Sequence, residues 1–187
     1  MTVSWRDVFG NDRPVEVEIG PGRGETLLAL ATAAPEVNFF AVERARRAME
    51  ALLAKVCARG LDNVRVVAGD VRCVLAHCVA DASVASYHIY FPDPWPKRAH
   101  RARRLAGPEL AGQLVRTLAP AGAVHVATDL PALLEDFRLA FLAAGLVHRP
   151  GAPAPSRPTT SFERRYAMAG THYAQFAREG TGAPAPV

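Results

Sequence analysis

Asp93 is held between prolines, and its setting suggests chemistry before anything else in the chain does. It stands in Phe91-Pro92-Asp93-Pro94-Trp95-Pro96-Lys97, where three prolines within five residues fix φ repeatedly and keep the segment stiff. A stiff acidic corner suits an in-line transfer of a group, a reaction in which positioning is much of the catalysis. A surface turn would explain the prolines, but not an Asp and a Trp locked among them. Lys97 adds a compact point charge in a chain that otherwise uses arginine, with two lysines among its 22 basic residues.

A second constellation lies upstream. Glu18-Ile19-Gly20-Pro21-Gly22-Arg23-Gly24 closes an expected short strand, Val15–Ile19, and opens an expected helix. Glycines there allow a tight turn and close approach of a ligand to the backbone. A dinucleotide fingerprint reads GxGxxG and keeps a helix N-terminus open for pyrophosphate. This chain reads ExGxGxG, which fits S-adenosyl-L-methionine better, because that cofactor presents an amino acid and a sulfonium near the carboxylate of Glu18. Glu43 follows Gly24 by nineteen residues, where an acid can accept from ribose hydroxyls. Asp70, in Gly69-Asp70-Val71, is placed for an adenine amino group, or equally as the N-cap of the next helix.

The elements that must carry these residues alternate. Strands are expected at 15–19, 38–42, 63–68, 83–91, 123–128 and 173–178. Helices are expected at 25–34, 44–59, 71–79, 105–118 and 131–144, with a turn at Pro120-Ala121-Gly122. Alternation of this kind implies an α/β fold: a Rossmann-like doubly wound sheet, mostly parallel, with an antiparallel last strand. Ligands of such sheets bind at the carboxyl ends of the strands, where most of the singled-out residues fall. Residues 1–179 are expected to form one domain, and the Gly/Ala/Pro-rich 180–187 a disordered tail.

Composition sets the frame. The chain has 187 residues, a net charge of +4 and a pI near 9.3, which favours phosphate-bearing partners. Lys97, Arg98, His100, Arg101, Arg103 and Arg104 lie in eight consecutive residues with no acid among them, as a phosphate-facing patch would. The start lacks the pattern of a signal peptide, and no apolar run reaches membrane-spanning length, so a cytoplasmic location is expected. Cys57, Cys73 and Cys78 form no CxxC pair. They read as small, partly buried side chains rather than as a metal site built from Cys73, His77 and Cys78.

At this point a resemblance emerges. FPDPWPK, then His100 and Arg103-Arg104-Leu105, resembles the signature of the bacterial tRNA (guanine-N7)-methyltransferase family. Thr128-Asp129 and Thr160-Ser161-Phe162-Glu163 are similar to its remaining motifs, and the likeness runs from about Phe9 to Arg178. It implies that Glu18, Glu43 and Asp70, with Gly20, Gly22 and Gly24, hold S-adenosyl-L-methionine. It also implies that Asp93 is the active-site acid. Lys97, Asp129 and Thr160–Glu163 would bind substrate, and Arg98, Arg101, Arg103 and Arg104 would meet RNA phosphates. On spacing alone, Asp129 reads as a helix cap and Thr160-x-x-Glu163 as a capping box. Two departures stand out: Ser161 replaces the family's usual lysine, and the segment before the first strand is short.

The implied reaction is methylation of guanine N7 in the tRNA variable loop. N7 carries an in-plane lone pair and no proton, so Asp93 is expected to orient the base and stabilise its growing positive charge. One alternative is a methyltransferase of this fold acting on another RNA site or a small molecule. A non-catalytic RNA-binding module is another. An NAD oxidoreductase fails on the glycine spacing. The chain would act as a monomer or a homodimer.

Overall fold

A computed structural model describes residues 2–95, 104–153 and 170–179. Its elements are α1 (Trp5–Phe9), β1 (Val15–Ile19), α2 (Glu25–Ala33), β2 (Asn38–Glu43), α3 (Arg46–Ala58), β3 (Val64–Ala68), α4 (Val71–Cys78), β4 (Val84–Tyr90), α5 (Pro108–Thr117), β5 (Leu118–Thr128), α6 (Pro131–Ala143), β6 (Leu146–His148) and β7 (His172–Arg178). The strands form one sheet in the order β3-β2-β1-β4-β5-β7-β6. All neighbours as far as β5 are parallel; β7 runs antiparallel to both β5 and β6. The expected Rossmann-like sheet is present, with an antiparallel pair at its far edge. The order reverses beside β1, between β2 and β4, and that switch is where a ligand crevice opens.

Alternation along the strands sorts the two faces. Val17 and Ile19 sit beside Tyr87 and Ile89 on one face, packed with Leu75, Leu110, Leu114, Phe137 and Phe141. The opposite face carries Phe39 and Ala41 under Leu27, Leu28 and Leu52. Farther along that same face the pattern turns polar: Glu16 and Glu18 on β1 neighbour Ser86 and His88 on β4, and His88 neighbours His125 on β5. β2 is buried along its whole length, as an inner parallel strand should be.

Three expectations need correction. The Pro120-Ala121-Gly122 turn is instead part of β5, where the register against β4 shifts between Val84 and Ser86. The exposed Pro120 and Ala121 bulge outward while the chain keeps its direction. Two short elements, α1 and β6, were not anticipated. Cys57 and Cys73 are exposed rather than partly buried, because α3 turns Leu52 and Val56 inward and α4 turns Val71 and Leu75. No described helix is long and apolar enough to cross a membrane. Among the described residues, no cluster of three or more His, Cys, Asp or Glu could hold a metal ion.

Candidate active site

The turn after β1 is built on left-handed glycines, with φ of 70° at Gly20, 55° at Gly22 and 73° at Gly24. Gly20 N–H donates to the Val42 carbonyl (2.9 Å), and Gly24 N–H to that of Pro21 (2.8 Å). A Cβ on Gly20 or Gly22 would meet nothing within 4 Å, so both leave open space above the backbone. Gly24 serves another purpose. A Cβ there would come within 2.2 Å of Leu52 Cδ1, so this glycine lets α2 begin hard against α3.

Glu43, at the end of β2, is 7% exposed and stitches the turn together. Its Oε2 accepts from Gly22 N–H (2.9 Å) and its Oε1 from Ala45 N–H (2.8 Å). A carboxylate offers about four acceptor positions, so both oxygens can still accept from a diol. Asp70 is indeed the N-cap of α4, accepting from Arg72 N–H at 3.0 Å. Its other oxygen meets the Arg72 guanidinium at 2.7 Å. That contact holds the Asp70 carboxyl below the usual carboxylate range. The helix-cap reading of Asp70 is borne out, and the residue also lines the cavity. Glu18 is buried, 3% exposed, and the cavity wall begins one residue later, at Ile19.

The cavity has a volume of about 390 Å³, within the usual range for small-molecule sites. Gly20, Gly22, Glu43, Asp70 and Asp93 share its wall with Ile19, Val71, Phe91, Trp95 and Leu105. Sequence reasoning brought the first five together but missed Arg44 and Arg72, which also line it; each stands within two residues of an acid already singled out. The lining fits S-adenosyl-L-methionine: open glycines, a Glu43 carboxylate with acceptor capacity left for a diol, and apolar walls for a flat ring, whereas Glu18 does not line the cavity.

Asp93 itself is exposed, on a corner whose two ends are left-handed, with φ of 49° at Phe91 and 42° at Trp95. Non-glycine residues there cost about 1–2 kcal/mol each, and such strain persists only when the surroundings enforce it. Phe91 N–H is tied to the Ala127 carbonyl at 2.8 Å. Trp95 accepts at its carbonyl from Arg104 Nε at 3.1 Å, and Arg104 also reaches Asp136 at 3.9 Å. Arg104 thus braces the corner, a contact that the sequence reading of it as a phosphate ligand did not include. Asp129 follows β5 without capping α6, whose N-cap is Leu130. Lys97, Arg98, His100, Arg101, Arg103, Thr160, Ser161, Phe162 and Glu163 lie outside the described residues.

With this geometry in hand, known proteins give a consistent picture. A family model described as "Putative methyltransferase" matches residues 12–175. The tRNA (guanine-N(7)-)-methyltransferase of Pseudomonas aeruginosa is 41% identical over 165 residues, covering 84% of this chain and 67% of that protein. The Pseudomonas putida enzyme of the same name is 42% identical, covering 87% of this chain and 70% of its own length. The Listeria monocytogenes enzyme is 38% identical over 73% of this chain and 64% of its own. Among solved structures, the aminoglycoside resistance methyltransferase NpmB1 superposes with a TM-score of 0.66 at 17% identity, covering 93% of this chain and 91% of that one. The 16S rRNA methyltransferase KamB gives 0.66 at 17%, covering 96% and 93%. At that identity, the last two speak for the fold alone. Matched along most of its length at about 40% identity, the chain belongs to the tRNA (guanine-N7)-methyltransferase family.

Proposed function

We propose that this chain methylates N7 of a guanine in the variable loop of tRNA, using S-adenosyl-L-methionine. The observation that carries the reading is the shared wall: Asp93, on its braced corner, borders the same cavity as the glycine turn and Glu43. The names of the relatives point to the same reaction. Glu43 and the Gly20–Gly24 turn would hold the cofactor, with Asp70 and Val71 along the adenine side. When bound, S-adenosyl-L-methionine supplies an electrophilic methyl group on a sulfonium.

N7 brings its own lone pair and loses no proton, so the chain need not provide a general base. Its task is to hold the purine edge-on in line with that methyl. The Asp93 carboxylate can accept from guanine N1–H and the exocyclic amino group, and its charge offsets the cation formed on the purine. The basic run 97–104 would engage the flanking phosphates, giving binding that weakens with salt.

Incubation with unmodified tRNA and labelled cofactor, followed by mapping of the modified base, tests the reading. Label in the variable-loop guanine is expected; label elsewhere defeats the assignment. Asp93→Asn should lower kcat by roughly 100-fold or more, the scale seen when one electrostatic stabiliser is removed, with cofactor affinity unchanged. Turnover close to the unmodified protein's would remove Asp93 from the mechanism.

A further inference from the structure

The polar stretch on the otherwise apolar sheet has an order of its own. Glu16 Oε2 lies 2.7 Å from His88 Nε2, and His88 Nδ1 lies 2.8 Å from the Tyr90 hydroxyl. His88 and Tyr90 are buried at 2% and 8% exposure. The His88 ring stacks on His125 at 5.2 Å and 12°, and His125 Nδ1 meets the Tyr173 hydroxyl. A carboxylate only accepts, so Nε2 of His88 donates to Glu16. With a single ring proton, Nδ1 must then accept from Tyr90 O–H. Direction runs one way along the series, from Tyr90 through His88 to Glu16.

Tyr90 is the last residue of β4, and Phe91, the left-handed start of the Asp93 corner, comes next. Buried polar groups are costly unless satisfied, and Tyr87 and Ile89 show that this strand readily carries residues packed into an apolar core on its other face. We propose that Glu16, His88 and Tyr90 form a relay that fixes the end of β4 and so positions Asp93, making Tyr90 and His88 positioning residues for the reaction. The relay anchors the upstream end of the strained corner, while Arg104 on the Trp95 carbonyl anchors the downstream end.

Tyr90→Phe removes one hydroxyl and keeps the ring, so folding should survive. It should lower kcat roughly tenfold or more, as small misplacements near a reacting centre do, while leaving KM for S-adenosyl-L-methionine near that of the unmodified protein and lowering the melting temperature by about 2–8 °C, because the buried His88 ring loses a partner. Glu16→Ala should do the same, and Glu16→Gln should restore activity, because its amide oxygen still accepts from Nε2–H. The double variant Tyr90→Phe/Glu16→Ala should be no slower than either single one, the mark of one coupled unit. Fluorotryptophan labelling gives a readout free of substrate: the ¹⁹F line of Trp95 should shift or broaden in Tyr90→Phe while that of Trp5 stays. An unmoved Trp95 line, an unchanged kcat, or effects that multiply in the double variant would overturn the relay. The kinetic arm rests on the methyl transfer proposed above. If the unmodified protein leaves tRNA untouched, that reading fails and the Trp95 line alone decides the relay.

Discussion

At the scale of single residues, the glycine turn shows how one motif divides its labour. Gly20 and Gly22 leave open space for a ligand, whereas Gly24 lets a helix approach. Gly24→Ala combines a left-handed φ of 73° with a contact of 2.2 Å to Leu52, a fully buried side chain. It should therefore destabilise the fold by about 1–3 kcal/mol, the usual cost of overpacking, read as a lower midpoint in urea. Glu43 also has a structural duty that spacing alone could not reveal. The sequence marks it as a ribose acceptor, but its bond to Gly22 N–H spans 21 residues and exists only because β1 and β2 pair in register. Glu43→Ala should thus weaken cofactor binding by roughly tenfold or more, as loss of a charged hydrogen-bonding partner does. Calorimetric titration would show this, and an unchanged Kd would place the ribose elsewhere.

At the scale of elements, the strongly patterned segments were legible and the weakly patterned ones were not. β1 alternates valine and glutamate up to a glycine turn, and β2 and β4 are rich in β-branched and aromatic residues with a proline nearby, so their existence and order follow from the sequence. α1 has five residues and β6 three, too short for any period to show. α1 is held instead by tertiary contacts, with Trp5 Nε1 donating to the Ser83 carbonyl at 3.0 Å and its ring tilted against Phe40. The start of β5 was misread for a different reason. Pro120 and Gly122 are ordinary turn signals, but Pro120 sits on the exposed side of a bulge where its missing N–H costs nothing. Gly122 is the key to that bulge. A Cβ there would stand 2.8 Å from the Ala85 carbonyl and 2.6 Å from Leu118 Cδ1, and backbone cannot step aside cheaply. Gly122→Ala should destabilise by about 1–3 kcal/mol and raise amide exchange along Leu118–Ala123; normal protection there would mean the bulge relaxes freely.

At the scale of the whole molecule, the sheet keeps a buried histidine neutral, and this gives the protein a defined acid sensitivity. His125 is 8% exposed in the middle of the sheet. Burial first, and His88 beside it second, push its pKa down from 6.5 to about 3. The unfolded chain regains the ordinary value. Above pH 6.5 neither state holds the proton and the full stability is present. As the pH falls from 6.5 toward 3, the unfolded state binds a proton that the folded state refuses, so stability declines with acid. One such proton corresponds to a slope of about 1.4 kcal/mol per pH unit. Other groups titrate in the same window, so the comparison must be with His125→Gln, which can still bond Tyr173 but cannot be protonated there. Urea unfolding between pH 7 and pH 4 should give the unmodified protein a steeper decline than the variant, by roughly one proton's worth. Parallel curves would mean that His125 takes up its proton inside the folded sheet, and that the stacked pair with His88 tolerates a charge this packing otherwise excludes.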